Sequence, residues 1–177
     1  MSTITMKDGT TNYCYNSKFA SYATLCLRVG LGVGFLSAVA DRFGLWGAFG
    51  QPNVEWGNFS RFLEYTHTLN WYLPAGMTLP LGVIATCAEI LLGLLLLFGW
   101  HTRTAALLSG LLLLTFGGAM TLALGVKAPL NYAVLTGVGG AWLLANFNRF
   151  PFSVDELFFR RTLKGSQGIG RCNQNEA

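Results

Sequence analysis

Charged residues are almost absent from four stretches of the chain, and the lengths of those stretches predict the fold. Between Arg103 and Lys127 lie 23 consecutive residues without Asp, Glu, Lys or Arg, and between Lys127 and Arg149 a further 21. Each is long enough to cross a hydrocarbon layer of about 30 Å as a helix. Upstream, Leu79 to Phe98 is apolar except for Glu89, and Phe19 to Ala40 is apolar except for Arg28. The pattern predicts four helical spans at about 20–40, 79–98, 104–126 and 129–147. A soluble bundle would need a polar stripe along each helix, and Ala105–Leu114 and Gly137–Ala145 offer none.

Composition points the same way. Hydrophobic residues make up 52% of the 177 residues and charged residues 11%, against about 25% charged in an average soluble domain. This excludes a disordered chain and argues against a soluble globule. The length suits one domain, a membrane unit over 19–157, preceded by a polar tail at 1–18 and followed by a polar, Gly-rich tail at 165–177 that reads as disordered. Asp8, Asn12 and Asn16 precede the first span and no small-residue cleavage site follows it, so the segment reads as an uncleaved anchor.

The distribution of basic residues explains the net charge of +4. With the N-terminus inside, Lys7, Lys18, Arg103, Arg149, Arg160, Arg161, Lys164 and Arg171 face the cytoplasm, and Arg42, Arg61 and Lys127 face out. That asymmetry predicts both termini on the cytoplasmic side of the membrane, with the lipid bilayer as partner and no role for nucleic acid. Short turns at Trp100-His101-Thr102-Arg103 and Gly125–Pro129 make spans two to four antiparallel neighbours.

The loop between the first two spans is long and aromatic. Trp56, Phe59 and Leu63 recur at helical spacing, with Arg61 and Glu64 between them, which predicts a short amphipathic helix along the outer interface. It reads either as an aromatic belt or as a lid over a cavity that opens outward. After the last span, Ser153-Val154-Asp155-Glu156 has capping-box spacing, and Leu157-Phe158-Phe159 followed by Arg160, Arg161 and Lys164 predicts an amphipathic cytoplasmic helix over 153–164.

Ionisable groups inside a span cost about 2.5–3.5 kcal/mol each, so Arg28 and Glu89 are the candidate functional residues. Counted from entry at Ala20 and exit at Phe98, they lie about 12 and 13.5 Å deep at 1.5 Å per residue, which predicts an ion pair between the first two spans. Thr24 and Gly32 share a face with Arg28, and Thr86 and Gly93 share one with Glu89; Gly139 in the fourth span falls near the same level. The pair reads either as a pin that fixes helix register or as the lining of a pocket. In the pocket Arg28 donates to a carbonyl or anionic group and Glu89 exchanges a proton. Asp41 and Arg42, at the outer mouth of the first span, read as a surface pair or helix cap.

Metal and thiol chemistry find no support in the residue pattern. His67 and His101 fall on opposite sides of the predicted membrane and cannot share one metal or haem in one chain. Cys14, Cys26, Cys87 and Cys172 form no C-x-x-C pair, and Cys26 and Cys87 read as small apolar fillers.

Several of these residues carry a resemblance. Leu27-Arg28-Val29-Gly30 with Gly32, Ala40-Asp41-Arg42-Phe43-Gly44, the run Ala88-Glu89-Ile90-Leu91-Leu92-Gly93 through Gly99 into Arg103, and Ser153-Val154-Asp155 together make the chain resemble the DoxX/DoxD-like family of four-span bacterial membrane proteins. The similarity covers about residues 20–157. It implies an all-α four-helix membrane fold and a quinone-linked sulfur-oxidation context, as in thiosulfate:quinone oxidoreductase, with quinone as ligand and a redox or sulfur-metabolism subunit as partner. Three functions follow as expectations: a quinone-interacting or accessory subunit of a membrane oxidoreductase, a non-enzymatic anchor or assembly factor, and a carrier for a small hydrophobic molecule that would need a homo-oligomer or large motions.

Overall fold

The computed structural model describes residues 3–5, 11–13, 17–147, 150 and 152–157, with side chains from Phe19 onward. The predicted tail at 165–177 and most of the predicted helix at 153–164 lie outside the described residues. Within 1–18, read as a plain tail, two short strands, β1 (Thr3–Thr5) and β2 (Thr11–Tyr13), pair antiparallel with Thr3 opposite Tyr13. The rest is helical: α1 (Ser17–Arg42), α2 (Phe59–Leu69), a 3-10 turn at Ala75–Met77, α3 (Thr78–Phe98), α4 (Thr102–Leu124), α5 (Lys127–Asn131) and α6 (Val134–Ala145).

Three of these, α1, α3 and α4, are long and apolar enough to cross a membrane. The fourth predicted span is not one continuous helix. Ala133 takes a left-handed conformation (φ 51°) between α5 and α6, and α6 alone, with 12 residues, covers only about 18 Å. α5 closes just before Ala133, with Tyr132 N–H donating to the Ala128 carbonyl.

Only 28%, 33% and 22% of the apolar stretches of α1, α3 and α4 are buried, and large side chains such as Ile84, Leu91, Leu111 and Leu122 point outward. Inside, Phe35, Leu92, Leu96, Leu144 and Phe150 form an apolar core with Ala105, Ala106 and Ala145, and Thr24, Arg28, Thr86, Glu89, Thr102 and Ser109 are buried beside it. Large apolar side chains on the outer surface as well as in the core are the arrangement expected where lipid, not water, surrounds the helices. Cys26 and Cys87 are exposed on the helix surfaces and are not the interior fillers their size suggests.

Contacts run α1 to α3 and α6, and α4 to α6 and α3, with α2 laid across α3 and α4. The α1–α3 register is fixed by two glycines. A Cβ on Gly32 would lie 3.0 Å from the Gly93 carbonyl oxygen, and one on Gly93 would lie 3.1 Å from that of Gly32. Any side chain at either position would separate the two backbones. With Gly32 opposite Gly93, the antiparallel register puts Arg28 opposite Leu97 and leaves Glu89 two turns farther along.

Candidate functional site

The predicted Arg28–Glu89 ion pair does not form. Eight residues of α3 separate Glu89 from the level of Arg28, about 12 Å at 1.5 Å per residue. Ala20 and Phe98 do not lie at one level, because α1 runs well past the end of α3. Each charge finds a different partner, and two polar centres result, one at either end of the bundle.

At the α2 end, Glu89 pairs with Arg42, the last residue of α1. Arg42 turns its side chain back along the bundle, and Nη1 also donates to Thr86 Oγ1 at 2.9 Å. Thr86 and Glu89 are one turn apart on α3, so a single guanidinium meets both. The Thr86 hydroxyl donates in turn to the Gly82 carbonyl at 2.8 Å. Arg42 and Glu89 are each 3% exposed and Asp41 is 6% exposed. Asp41 and Arg42 are therefore interior groups, not the surface pair the sequence suggested.

Aromatic rings roof this cluster. The Arg42 guanidinium carbon lies 3.8 Å from the centroid of Phe62 and 5.3 Å from that of Trp56, a cation–π arrangement worth about 2 kcal/mol when desolvated. Phe62 belongs to α2, which Asn58 starts by accepting from Arg61 N–H at 3.0 Å and which buries Phe62, Thr66 and Leu69. The amphipathic helix is thus present and lies as a lid over the cluster, with Phe62 of its buried face against Arg42. Trp56 precedes it and reaches the site through the loop 43–58, whose ends meet where a Cβ on Gly44 would lie 2.7 Å from the Gly57 carbonyl oxygen. Gly57 itself is left-handed (φ 65°), and a Cβ there would strike Phe49 N at 2.3 Å. This is a compact Ω-loop. Asp41 holds it, its Oδ2 accepting from the backbone N–H groups of Glu55 (3.1 Å) and Trp56 (3.0 Å). Phe43, Leu45, Trp46 and Phe49 of the same segment are exposed.

Tyr65 lies beside this roof, 6.1 Å from Trp56 between ring centroids. Burial raises its phenol above the ordinary 10.0, helped by Tyr132 and Glu55. A phenol with a raised folded-state pKa contributes stability that is intact below its unfolded value and is lost as pH climbs through the folded value. The lid is therefore expected to loosen above about pH 10, seen as a change in Trp fluorescence that is absent in Tyr65→Phe; a transition unaltered by that substitution would dissociate it from Tyr65.

The other end holds Arg28. Its Nε donates to the Leu96 carbonyl (3.1 Å), and Nη2 donates to those of Leu97 (3.2 Å) and Phe152 (3.3 Å). Asp155 lies close enough to attract it. The carboxylate of Asp155 accepts from His101 N–H (2.9 Å) and Thr102 N–H (2.8 Å), so Arg28 caps the end of α3 while Asp155 caps the start of α4. Gly99 lies between them in the left-handed region (φ 68°), where a Cβ would come within 2.5 Å of Arg28 Nη2 and 2.4 Å of Ser153 Cβ. Ser153 accepts from Glu156 N–H at 3.1 Å, as its capping spacing predicted, and donates to the Phe150 carbonyl. Left-handed His101 (φ 49°) and Phe152 (φ 56°) flank the knot, strained positions that its many bonds hold in place.

The structure therefore unites Thr86 and Glu89 with Arg42 and Asp41, and places Arg28 with Thr24 elsewhere on α1. Gly32 and Gly93 form the packing seam between α1 and α3. Gly139 is exposed, with open space around it, and joins neither centre. Sequence reading missed Phe62 as the ring over Arg42 and Asp155 as the cap of α4. The signal for the first was the Asp-Arg pair at a helix end followed directly by a long aromatic loop. Among the described residues no cluster of three or more His, Cys, Asp or Glu could hold a metal. The cluster at the α2 end combines a carboxylate, a guanidinium and a hydroxyl out of water, a set able to bind a polar headgroup or to exchange a proton.

No protein-family model, curated protein or solved structure matches the chain.

Proposed function

We propose that the chain is a four-span, DoxX-like protein of the bacterial plasma membrane, with α5 and α6 together as the fourth crossing and both termini in the cytoplasm. On this reading α2 and the Ω-loop face outward, and the protein is a quinone-interacting accessory subunit of a membrane oxidoreductase, in a sulfur-compound oxidation context. Electrons come from a partner subunit. The observation that supports it is the Arg42–Glu89–Thr86 cluster, buried within apolar helices and roofed by Trp56 and Phe62. A charged pair in that position is costly unless something uses it. Arg42 and Thr86 supply polar contacts for a headgroup, Glu89 supplies the proton-exchanging group, and the rings supply an apolar wall.

The test is binding of a short-chain quinone to the protein in lipid nanodiscs, followed by Trp quenching. Glu89→Gln and Thr86→Val should each weaken binding by about tenfold, equivalent to about 1.4 kcal/mol. A wild-type protein that binds no quinone, or two variants that bind as the wild type does, would overturn the proposal.

A second reading, a non-enzymatic anchor, draws support from the exposed Trp46, Phe49, Trp71 and Tyr72. It expects Trp46→Ala with Phe49→Ala to abolish co-purification of a partner and Glu89→Gln to leave it intact.

A further inference from the structure

Two atoms at the roofed site are left over from the contacts described. Asp41 Oδ1 and Arg42 Nε are buried without a hydrogen-bond partner, although Asp41 Oδ2 and Arg42 Nη1 are both bonded. Both residues converge on Trp56, Asp41 through the Trp56 backbone N–H at 3.0 Å and Arg42 through the face of the indole at 5.3 Å. One leftover atom is an acceptor and the other a donor. A buried polar group left unsatisfied is costly, and a carboxylate oxygen or a guanidinium N–H especially so.

The geometry points to a subsite here for a ring hydroxyl: we propose that the corner formed by Asp41, Arg42 and Trp56 binds an aromatic alcohol, of the phenol or hydroquinone class, in preference to the corresponding carbonyl form. A hydroxyl oxygen accepts from Arg42 Nε while its proton goes to Asp41 Oδ1, so one group satisfies both atoms. A ring carbonyl can accept from Nε but leaves the Asp41 oxygen unpaired. Trp56, which is only partly buried, provides the flat apolar surface that an aromatic ring needs. The assignment rests on the reading that this site receives a ligand headgroup, and adds which oxidation state it favours.

The experiment compares a short-chain hydroquinone, its quinone and its di-O-methyl ether on the full chain in nanodiscs. The wild type should bind the hydroquinone about tenfold more tightly than the quinone, which raises the midpoint of the bound two-electron couple by about 30 mV. The di-O-methyl ether should lose that advantage, since it has no proton for Asp41. Asp41→Asn should remove the preference and retain quinone binding. Equal affinity for the two oxidation states, full binding of the methyl ether, or an undiminished preference in Asp41→Asn would overturn the subsite and leave the quinone-interacting reading standing. Failure of every probe to bind the wild type would overturn both. The ether comparison uses unaltered protein, so the assignment stays testable if Asp41→Asn fails to fold with its Ω-loop in place.

Discussion

Arg42→Met is expected to destabilise the protein by about 3–5 kcal/mol, and Glu89→Leu added to it to restore most of that loss. The single change leaves Glu89 buried in apolar surroundings without its counter-charge, while Met still fills the space beneath Phe62 and Trp56. The double change removes both charges together. Reversible unfolding of the two single variants and the double variant gives the coupling energy directly. Arg28→Met with Glu89→Leu should instead be additive to within about 0.5 kcal/mol, because the two residues share no partner. Additivity of Arg42 with Glu89, or strong coupling of Arg28 with Glu89, would contradict the pairing.

The contrast between these two cycles locates what the sequence could and could not convey. That Arg28 and Glu89 lie inside the bundle was legible, because a charge within an apolar run must be buried by protein or neutralised. Which charge meets which depends on the sliding register of α1 against α3, and hydropathy is nearly blind to sliding. An apolar run blurs the helix end by several residues, and each residue of error moves a side chain about 1.5 Å along the axis. The register is written in Gly32 and Gly93, whose faces were correctly read as small. Their mutual contact becomes visible only in three dimensions.

The lid was legible to the same partial degree. The helical spacing of Trp56, Phe59 and Leu63 predicted a helix that overlaps α2, and the aromatic content of the loop was plain. Its descent onto Arg42 was not, because it depends on Asp41 holding the backbone of Glu55 and Trp56, a bond between groups 14 and 15 residues apart. The fourth span shows the opposite failure. A stretch without charge satisfied the length criterion, yet the backbone reverses its handedness at Ala133, where neither Gly nor Pro marks the break.

At the far end the same long-range logic yields the second large effect. Arg28→Met should cost about 3 kcal/mol or more, since hydrogen bonds from a charged donor contribute about 1.5–3 kcal/mol each and three carbonyls lose theirs. Arg28→Lys should recover less than half, because an ammonium lacks the planar fork that reaches Leu96, Leu97 and Phe152 together. Asp155→Ala removes the cap of α4, a change of about 1–2 kcal/mol, and should raise hydrogen exchange at the His101 and Thr102 amides. The quinone binding proposed above should persist in both Arg28 variants, because the knot and the roofed site share no side chain. Unchanged exchange in Asp155→Ala would show that the start of α4 is held by other means. Loss of ligand binding in Arg28→Lys, with the fold intact, would mean that the two ends communicate through α1 and α3, which both reach from one centre to the other and meet at a tight glycine seam.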